Sequence, residues 1–294
     1  MTLTQVAQKD FEDAVRSRMV WGVISVFVAF IGFVLLVAIG TSDSADASAD
    51  LALGMIALFS QLFVPMVAVI VGYMSIVGER RSGSLRVLLS YPHSRRDVVF
   101  GKLVGRAGVI TLALGVGSGL SMLIAGLVIE LPEIGSVIGV LTSITLFGVG
   151  FTGLAVGISA GVRTRAKAMA VAIGALLGFL LVWDAAAAGV YLVATGSLPG
   201  LEAEAWYFLL KRLSPVNAYR AVAQGFVDGR LQSFFQLGIE DVPADTTQDQ
   251  LALSNRVDGE LPFYLSNWFA ALTLTVWAVV PSVVGYVRFE RSDL

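Results

Sequence analysis

The chain of 294 residues has no cysteine and a single histidine, His93. Without cysteine there is no disulfide framework and no thiolate chemistry. With one histidine and seven scattered methionines that read as packing residues, no metal site is expected. Charge is scarce as well. Asp, Glu, Lys and Arg make up 14% of the residues, against about 25% in an ordinary soluble domain. The isoelectric point near 5.5 argues against a nucleic-acid binder. What fills the sequence is apolar: 56% of the residues are hydrophobic, which puts a membrane protein first.

A spanning helix needs roughly 20 mostly apolar residues. Six runs qualify: 19–40, 51–78, about 107–129, 134–162, 168–194 and 268–287. The first is longer than the 7–15 residues of a signal-peptide core, and Asp10, Glu12 and Asp13 lie upstream of it. It is therefore expected to be a retained span. Lys and Arg gather in cytoplasmic loops, and short loops carry the signal. Lys9, Arg16 and Arg18 precede the first run. Arg163, Arg165 and Lys167 sit in the turn before the fifth, and Arg288 and Arg291 follow the sixth. Seven more lie in 79–106, whereas the segments "TSDSADASAD" and "ELPE" have none. The alternation predicts both termini and 79–106 in the cytoplasm of a multi-pass cell-membrane protein. The remaining five bases fall in the long segment 195–266, which is then external. Its acidic balance fits a salt-adapted organism.

Four regions follow. Residues 1–18 read as an interfacial helix with Val6, Phe11, Ala14 and Val15 on its apolar face. Spans one to five occupy 19–194, with the loop 79–106 between spans two and three. The external segment 195–266 reads as small and helical. There "LEAEAWYFLLKRL" has helical spacing, and Ser214 caps a helix with Pro215 at its first position. Tyr219, Val222, Ala223, Phe226 and Val227 then share one face. "IEDVPADTTQDQ" reads as an exposed loop, and 267–294 is the last span and its tail.

Several motifs fail. Gly148-Val-Gly150-Phe-Thr-Gly153 matches the dinucleotide fingerprint formally but lacks the strand and βαβ unit it needs. Gly153, Gly157 and Gly161, four apart, read instead as a helix-packing face. There is no Walker A sequence: Gly101-Lys102 is the only Gly-Lys pair, and Arg96 stands where the first glycine belongs. Ser118 has no intramembrane histidine to activate it, which argues against a serine–histidine membrane protease; with no ATPase site of its own either, the chain is expected not to be an enzyme. Pro65 interrupts the second run and is expected to kink or break it. Asp184 is the one acid inside a span. It reads either as a bundle partner or as part of a substrate path.

Segment 79–106 holds more than charge. Leu85, Leu88 and Leu89 form an apolar stripe on a short helix, with Arg80, Arg81 and Arg86 around it. Tyr91-Pro92-His93 breaks that helix, and Ser94 with Asp97 caps a new one that runs through Lys102 and Arg106 into span three. A loop that is merely on the inside needs none of this. The order Glu79, Gly83-Ser84-Leu85, Leu88-Leu89, Pro92, Ser94-Arg95 and Gly101-Lys102 resembles the membrane subunit of type-2 ABC transporters. The nearest subgroup includes the permease of the nitrous-oxide-reductase maturation transporter. The resemblance covers essentially the whole chain, including "SPVNAYRAV" before the last span, but not the acidic stretch 241–260.

The resemblance implies an all-α permease with six spans and a short cytoplasmic coupling helix. Glu79, Arg80, Arg81, Gly83, Leu85, Leu88, Leu89, Pro92, Ser94 and Arg95 would then meet a separate ABC ATP-binding subunit. ATP and Mg belong to that partner, this chain binds no cofactor, and a second permease copy completes a homodimeric exporter. Two rivals remain at this point. One is a six-span secondary transporter coupled to protons or cations through Asp184. The other is an accessory membrane protein whose basic loop binds anionic lipid.

Overall fold

In the computed structural model the regular elements of the described residues are all helical; these residues are 3–41, 45–82, 94–125, 127, 132–235, 238–243, 245–247, 249–257 and 259–291. The first six helices are α1 (Leu3–Val15), α2 (Arg18–Thr41), α3 (Ala45–Gly72), α4 (Val77–Ser82), α5 (Arg95–Ala125) and α6 (Ile134–Gly161). Next, α7 (Arg165–Leu177) runs through a π-helical turn, Gly178–Val182, into α8 (Trp183–Thr195). Two short helices, α9 (Ala205–Arg212) and α10 (Pro215–Ala223), precede the last, α11 (Asn267–Glu290).

Five stretches are long and apolar enough to cross a membrane: Ala49–Arg80, Arg95–Leu120, Ile134–Gly161, Arg165–Thr195 and Asn267–Glu290. Even the shortest has 24 residues, or roughly 36 Å of helix at the α-helical rise, against an apolar bilayer core of about 30 Å. The apolar helix α2 packs beside them against α5 and α3. The chain is a multi-pass membrane protein. Many large apolar side chains point outward, as lipid-facing ones do: Leu36, Leu123, Ile138 and Val193 are among the most exposed.

α6 is the centre of the bundle. It contacts α11, α3, α5 and α10, and it is buried on nearly every side from Val137 to Ala160. Between helices in lipid, van der Waals contact replaces the hydrophobic drive, so backbone approach is favoured by small residues. The glycines of α6 sit where that approach is closest. A Cβ on Gly153 would fall 2.0 Å from the Ala278 carbonyl oxygen, and one on Gly157 2.2 Å from that of Pro281. Reciprocally, a Cβ on Gly285 of α11 would fall 2.2 Å from the Gly157 oxygen. Gly161 is looser, with Arg288 Cδ at 3.5 Å. The Ser282 hydroxyl donates to the Gly153 carbonyl at 3.0 Å and ties the two backbones directly. On the far side of α6, Phe147 stacks on Tyr219 at 4.5 Å, and the Tyr219 hydroxyl donates to the Ala57 carbonyl of α3.

The bundle has two ends. One carries α1, α4 and the start of α5, with the last turns of α6 and α11. The other carries α9, α10 and the segment that follows them.

Three details differ from the reading of the sequence. α1 buries Val6, Ala7, Asp10 and Ala14 rather than a face through Val15, because it lies in a groove lined by glycines of α5. A Cβ on Gly101 would fall 2.7 Å from Val6 Cβ, and one on Gly105 2.9 Å from the Ala7 oxygen. The second apolar run does not continue to Gly78 as one helix: α3 passes through Pro65 without ending but stops at Gly72, and α4 starts at Val77. α10 ends at Ala223, so Phe226 and Val227 are not on it. The Gln224 side chain takes over there, donating to Gly229 O and accepting from Leu231 N, while Gly229 supplies the positive φ of 71° that the turn needs.

Since backbone blocks any Cβ at Gly157 but not at Gly161, the two positions should separate cleanly. Gly157→Leu is expected to cost well over the roughly 1–3 kcal/mol of ordinary overpacking, and Gly161→Ala almost nothing. Thermal unfolding of the two purified variants, followed by size-exclusion chromatography, checks this.

Candidate functional site

The end that carries α1, α4 and the start of α5 is built around the two ends of residues 83–93. On the near side, α4 begins with amide groups that have no partner in their own helix. Ser159 of α6, fully buried, supplies one: its hydroxyl oxygen accepts from Ile76 N at 3.0 Å and Val77 N at 3.1 Å. On the far side, Ser94 and Asp97 form a reciprocal cap. The Asp97 amide donates to Ser94 Oγ at 3.1 Å, and the Ser94 amide donates to Asp97 Oδ2 at 3.2 Å.

Charged side chains then fasten both pieces to the bundle. Lys102 of α5 is 3% exposed. Its ammonium donates to Glu79 Oε1 of α4 at 2.7 Å and to Asp10 Oδ1 of α1 at 3.1 Å. Arg106, one turn on, pairs with the same Asp10 through Nε at 2.9 Å and NH2 at 3.2 Å. Arg80 donates to the Val162 carbonyl at the end of α6 at 3.2 Å. Arg95 donates to the Phe289 and Glu290 carbonyls at the end of α11, at 2.6 and 2.9 Å. Both guanidiniums lie over the Phe289 ring, 5.2 and 5.3 Å from its centroid. These contacts combine cation–π attraction with coverage of the terminal carbonyls, where a helix dipole favours cations.

Of the residues singled out in the sequence, the structure brings together Glu79, Arg80, Ser94 and Arg95. Arg81 lies on α4. Gly83, Leu85, Leu88, Leu89 and Pro92 lie outside the described residues. A family model for ABC-2 family transporter proteins matches residues 4–294. The chain belongs to the ABC-2 transporter family. It is also similar to two proteins named probable ABC transporter permease protein NosY. The one from Stutzerimonas stutzeri is 27% identical over 291 residues, 97% of each chain. The one from Pseudomonas aeruginosa is 25% identical over 260 residues, 85% of this chain and 91% of that one. The chain is thus the membrane subunit of an ABC transporter.

Within this ABC-2 permease the Gly101-Lys102 pair has a physical role. Gly101 admits α1 to the surface of α5, and Lys102 is the ion that joins α1 to α4. Reading the sequence named Asp10, Lys102 and Arg106 without giving them this role, and it missed Ser159 and Phe289. A signal existed for the charged three: Asp10 lies one turn after Val6 and Ala7 and one turn before Ala14, and Lys102 and Arg106 are four apart. Nothing in the sequence pointed to Ser159 or Phe289.

Asp184 is placed at the opposite end. It accepts from Asn217 Nδ2 at 2.6 Å and lies 3.8 Å from Arg220 NH2, just after the π-helical turn. It is therefore tied to α10 and lines a cavity of about 330 Å³ together with Glu240 and Arg220. Glu240 binds this end together. It accepts from Lys211, from Tyr207 at 2.8 Å and from Arg256 at 2.9 Å. Burial alone works to raise its carboxyl, but the charges of Lys211 and Arg256 and the hydrogen bonds of Lys211 and Tyr207 outweigh it and hold it at about 2. Burial, and then the Glu240 charge, push the Tyr207 phenol well above its usual range.

Two expectations follow. Removing one partner of a buried pair costs about 3–5 kcal/mol. Asp10→Asn should therefore loosen α1 from α5 and expose Lys9 and Arg16 to trypsin faster than in the wild type, as read by the rate of N-terminal cleavage. Glu240 has a folded value below its ordinary 4.5, so its contribution is complete above about pH 4.5 and disappears as the pH falls towards 2. Glu240→Gln should flatten the pH dependence of unfolding in that window, measured by tryptophan fluorescence.

Proposed function

We propose that this chain is the permease subunit of an ATP-driven exporter, and that residues 79–106 receive the motion of a separate ABC ATP-binding subunit. One observation carries the reading. Residues 83–93, with their apolar triplet Leu85, Leu88 and Leu89, leave one clamped helix and enter another. Lys102 and Arg95 tie those helices to α1 and α11, and Arg80 and Ser159 tie them to α6. A partner that covers the triplet would push on a rigid assembly rather than on a free loop, and a push on α4 and α5 is a push on the bundle.

In this reading the coupling residues are Glu79, Arg80, Arg81, Gly83, Leu85, Leu88, Leu89, Pro92, Ser94 and Arg95. ATP and Mg sit on the partner, and this chain carries no cofactor. Two permease copies would line the path between them. Counting α2, the chain makes six spans in the cell membrane. Both termini are cytoplasmic, the interfacial helix 1–18 lies on the inner surface, and 195–266 lies outside. Asp184, held by Asn217 and Arg220, would border the path at its outer end. Family membership favours this reading over a secondary transporter driven through Asp184 and over a lipid-binding accessory protein.

Co-expression with the neighbouring genes tests it. An ABC ATP-binding subunit should co-purify in equal amount, and Leu85→Asp or Leu88→Asp should reduce its recovery by about tenfold or more, the loss expected when a charge enters an apolar contact. Undiminished recovery would remove the docking claim. Proton-coupled uptake by the chain alone, abolished by Asp184→Asn, would establish the rival.

A further inference from the structure

The end opposite the clamp holds a feature that coupling does not use. Between α8 and α11 the chain has nine acidic residues and only five basic ones, Lys211, Arg212, Arg220, Arg230 and Arg256. All five basic residues line one cavity of about 430 Å³, and among the described acids only Asp249 does. A segment with an acidic excess has thus sorted its cations to the inside of a single concavity.

The local charge does not cancel. Lys211 and Arg256 share Glu240, which lines the adjoining cavity. Arg220 lies at 3.8 Å from Asp184 and donates to Asn217, yet its buried Nε has no hydrogen-bond partner among the described residues. Arg212 is 9% exposed and is fastened by a backbone carbonyl, Ser266 O, at 3.1 Å. Among the described residues neither Arg212 nor Arg230 has a carboxylate within ion-pair distance. Burial lowers the pKa of Arg212 to about 10 and lowers that of Arg220, while partial burial and then the neighbouring charges of Arg256 and Arg220 lower that of Arg230, which is otherwise open to solvent. A buried guanidinium with open donors is costly unless an anion meets it. Apolar side chains complete the wall, Phe208, Leu231 and Leu253 among them, and they strengthen any charge pairing inside it.

We propose that this cavity binds a phosphate-class oxyanion through Arg212, Arg220 and Arg230. Guanidinium forks match the several oxygens of a phosphate group. The volume exceeds that of the bare ion and lies in the range of organic ligand pockets, about 300–1,000 Å³, so a phosphomonoester or a phospholipid headgroup fits the same chemistry. The proposal stands apart from the docking of an ATPase, and its test needs no ATPase.

The purified chain in detergent is titrated by isothermal calorimetry with inorganic phosphate, with glycerol phosphate and with a soluble short-chain phosphatidic acid. Saturable binding at one site per chain is expected for at least one probe, weakening as salt rises. Phosphate or glycerol phosphate binding identifies a free ligand. Binding of phosphatidic acid alone identifies a lipid headgroup. Arg230 lines the cavity while staying open to solvent, so Arg230→Gln should leave the fold intact and weaken the bound probe by about tenfold, the size of one charge-assisted hydrogen bond. Arg230→Lys should restore part of that loss, and Arg212→Gln should weaken binding at least as much, provided its unfolding midpoint matches the wild type. No saturable binding of any probe, or binding unchanged in Arg230→Gln, overturns the proposal.

Discussion

The backbone contact between α6 and α11 is the constraint on which the rest depends. Gly153, Gly157 and Gly285 remove the side chains that would hold the two helices apart, and Ser282 bonds across the gap. In lipid there is little hydrophobic gain from bringing two apolar helices together, so contact area at short range has to supply the affinity. The position of that contact matters as much as its strength. It fixes the last turn of α6 beside the last turn of α11, and those two turns present Ser159, the Val162 carbonyl and Phe289. These are anchors that the bundle core offers to α4 and the start of α5.

The charged knot adds the third wall. Asp10, Glu79, Lys102 and Arg106 would be an expensive set to bury singly. Together they alternate in sign, and each cation answers a carboxylate on a different helix. Their net effect is geometric: α1 is fixed to α5, and α5 to α4. The result is one solid block at the ends of residues 83–93, whereas Glu240 and its partners knit the short helices at the opposite end. The two ends are joined by α6, which touches Tyr219 near one and packs in the cluster with Phe289 near the other.

Much of the fold was legible because lipid imposes long apolar helices, and length alone separates them from everything else. The glycine spacing in α6 and the Ser94–Asp97 and Ser214–Pro215 caps were legible because each rests on local chemistry. The misread parts share a cause. Asp10 disappears from an apolar stripe when only residue type is considered, although its position places it squarely in one. The break at Gly72 is decided by Ser159, more than eighty residues away, and no local pattern announces it. α10 gives way at Ala223 to a single 3-10 turn, Gln224–Phe226, and the Gln224 side chain braces the loop beyond it. The five cations at the far end are scattered over 46 positions and meet only once the chain is folded.

The central claim is that an ATP-binding subunit seats on residues 83–93. Because the chain has no cysteine, a single introduced thiol is the only one in this chain, and labelling it on the purified chain before assembly keeps the label there. A photoreactive maleimide on Leu88→Cys, irradiated in membranes that hold the assembled complex, should give a covalent adduct containing the ATP-binding subunit, and the same label on Phe263→Cys at the opposite end should give none. An adduct from position 263 with none from position 88 would contradict the account.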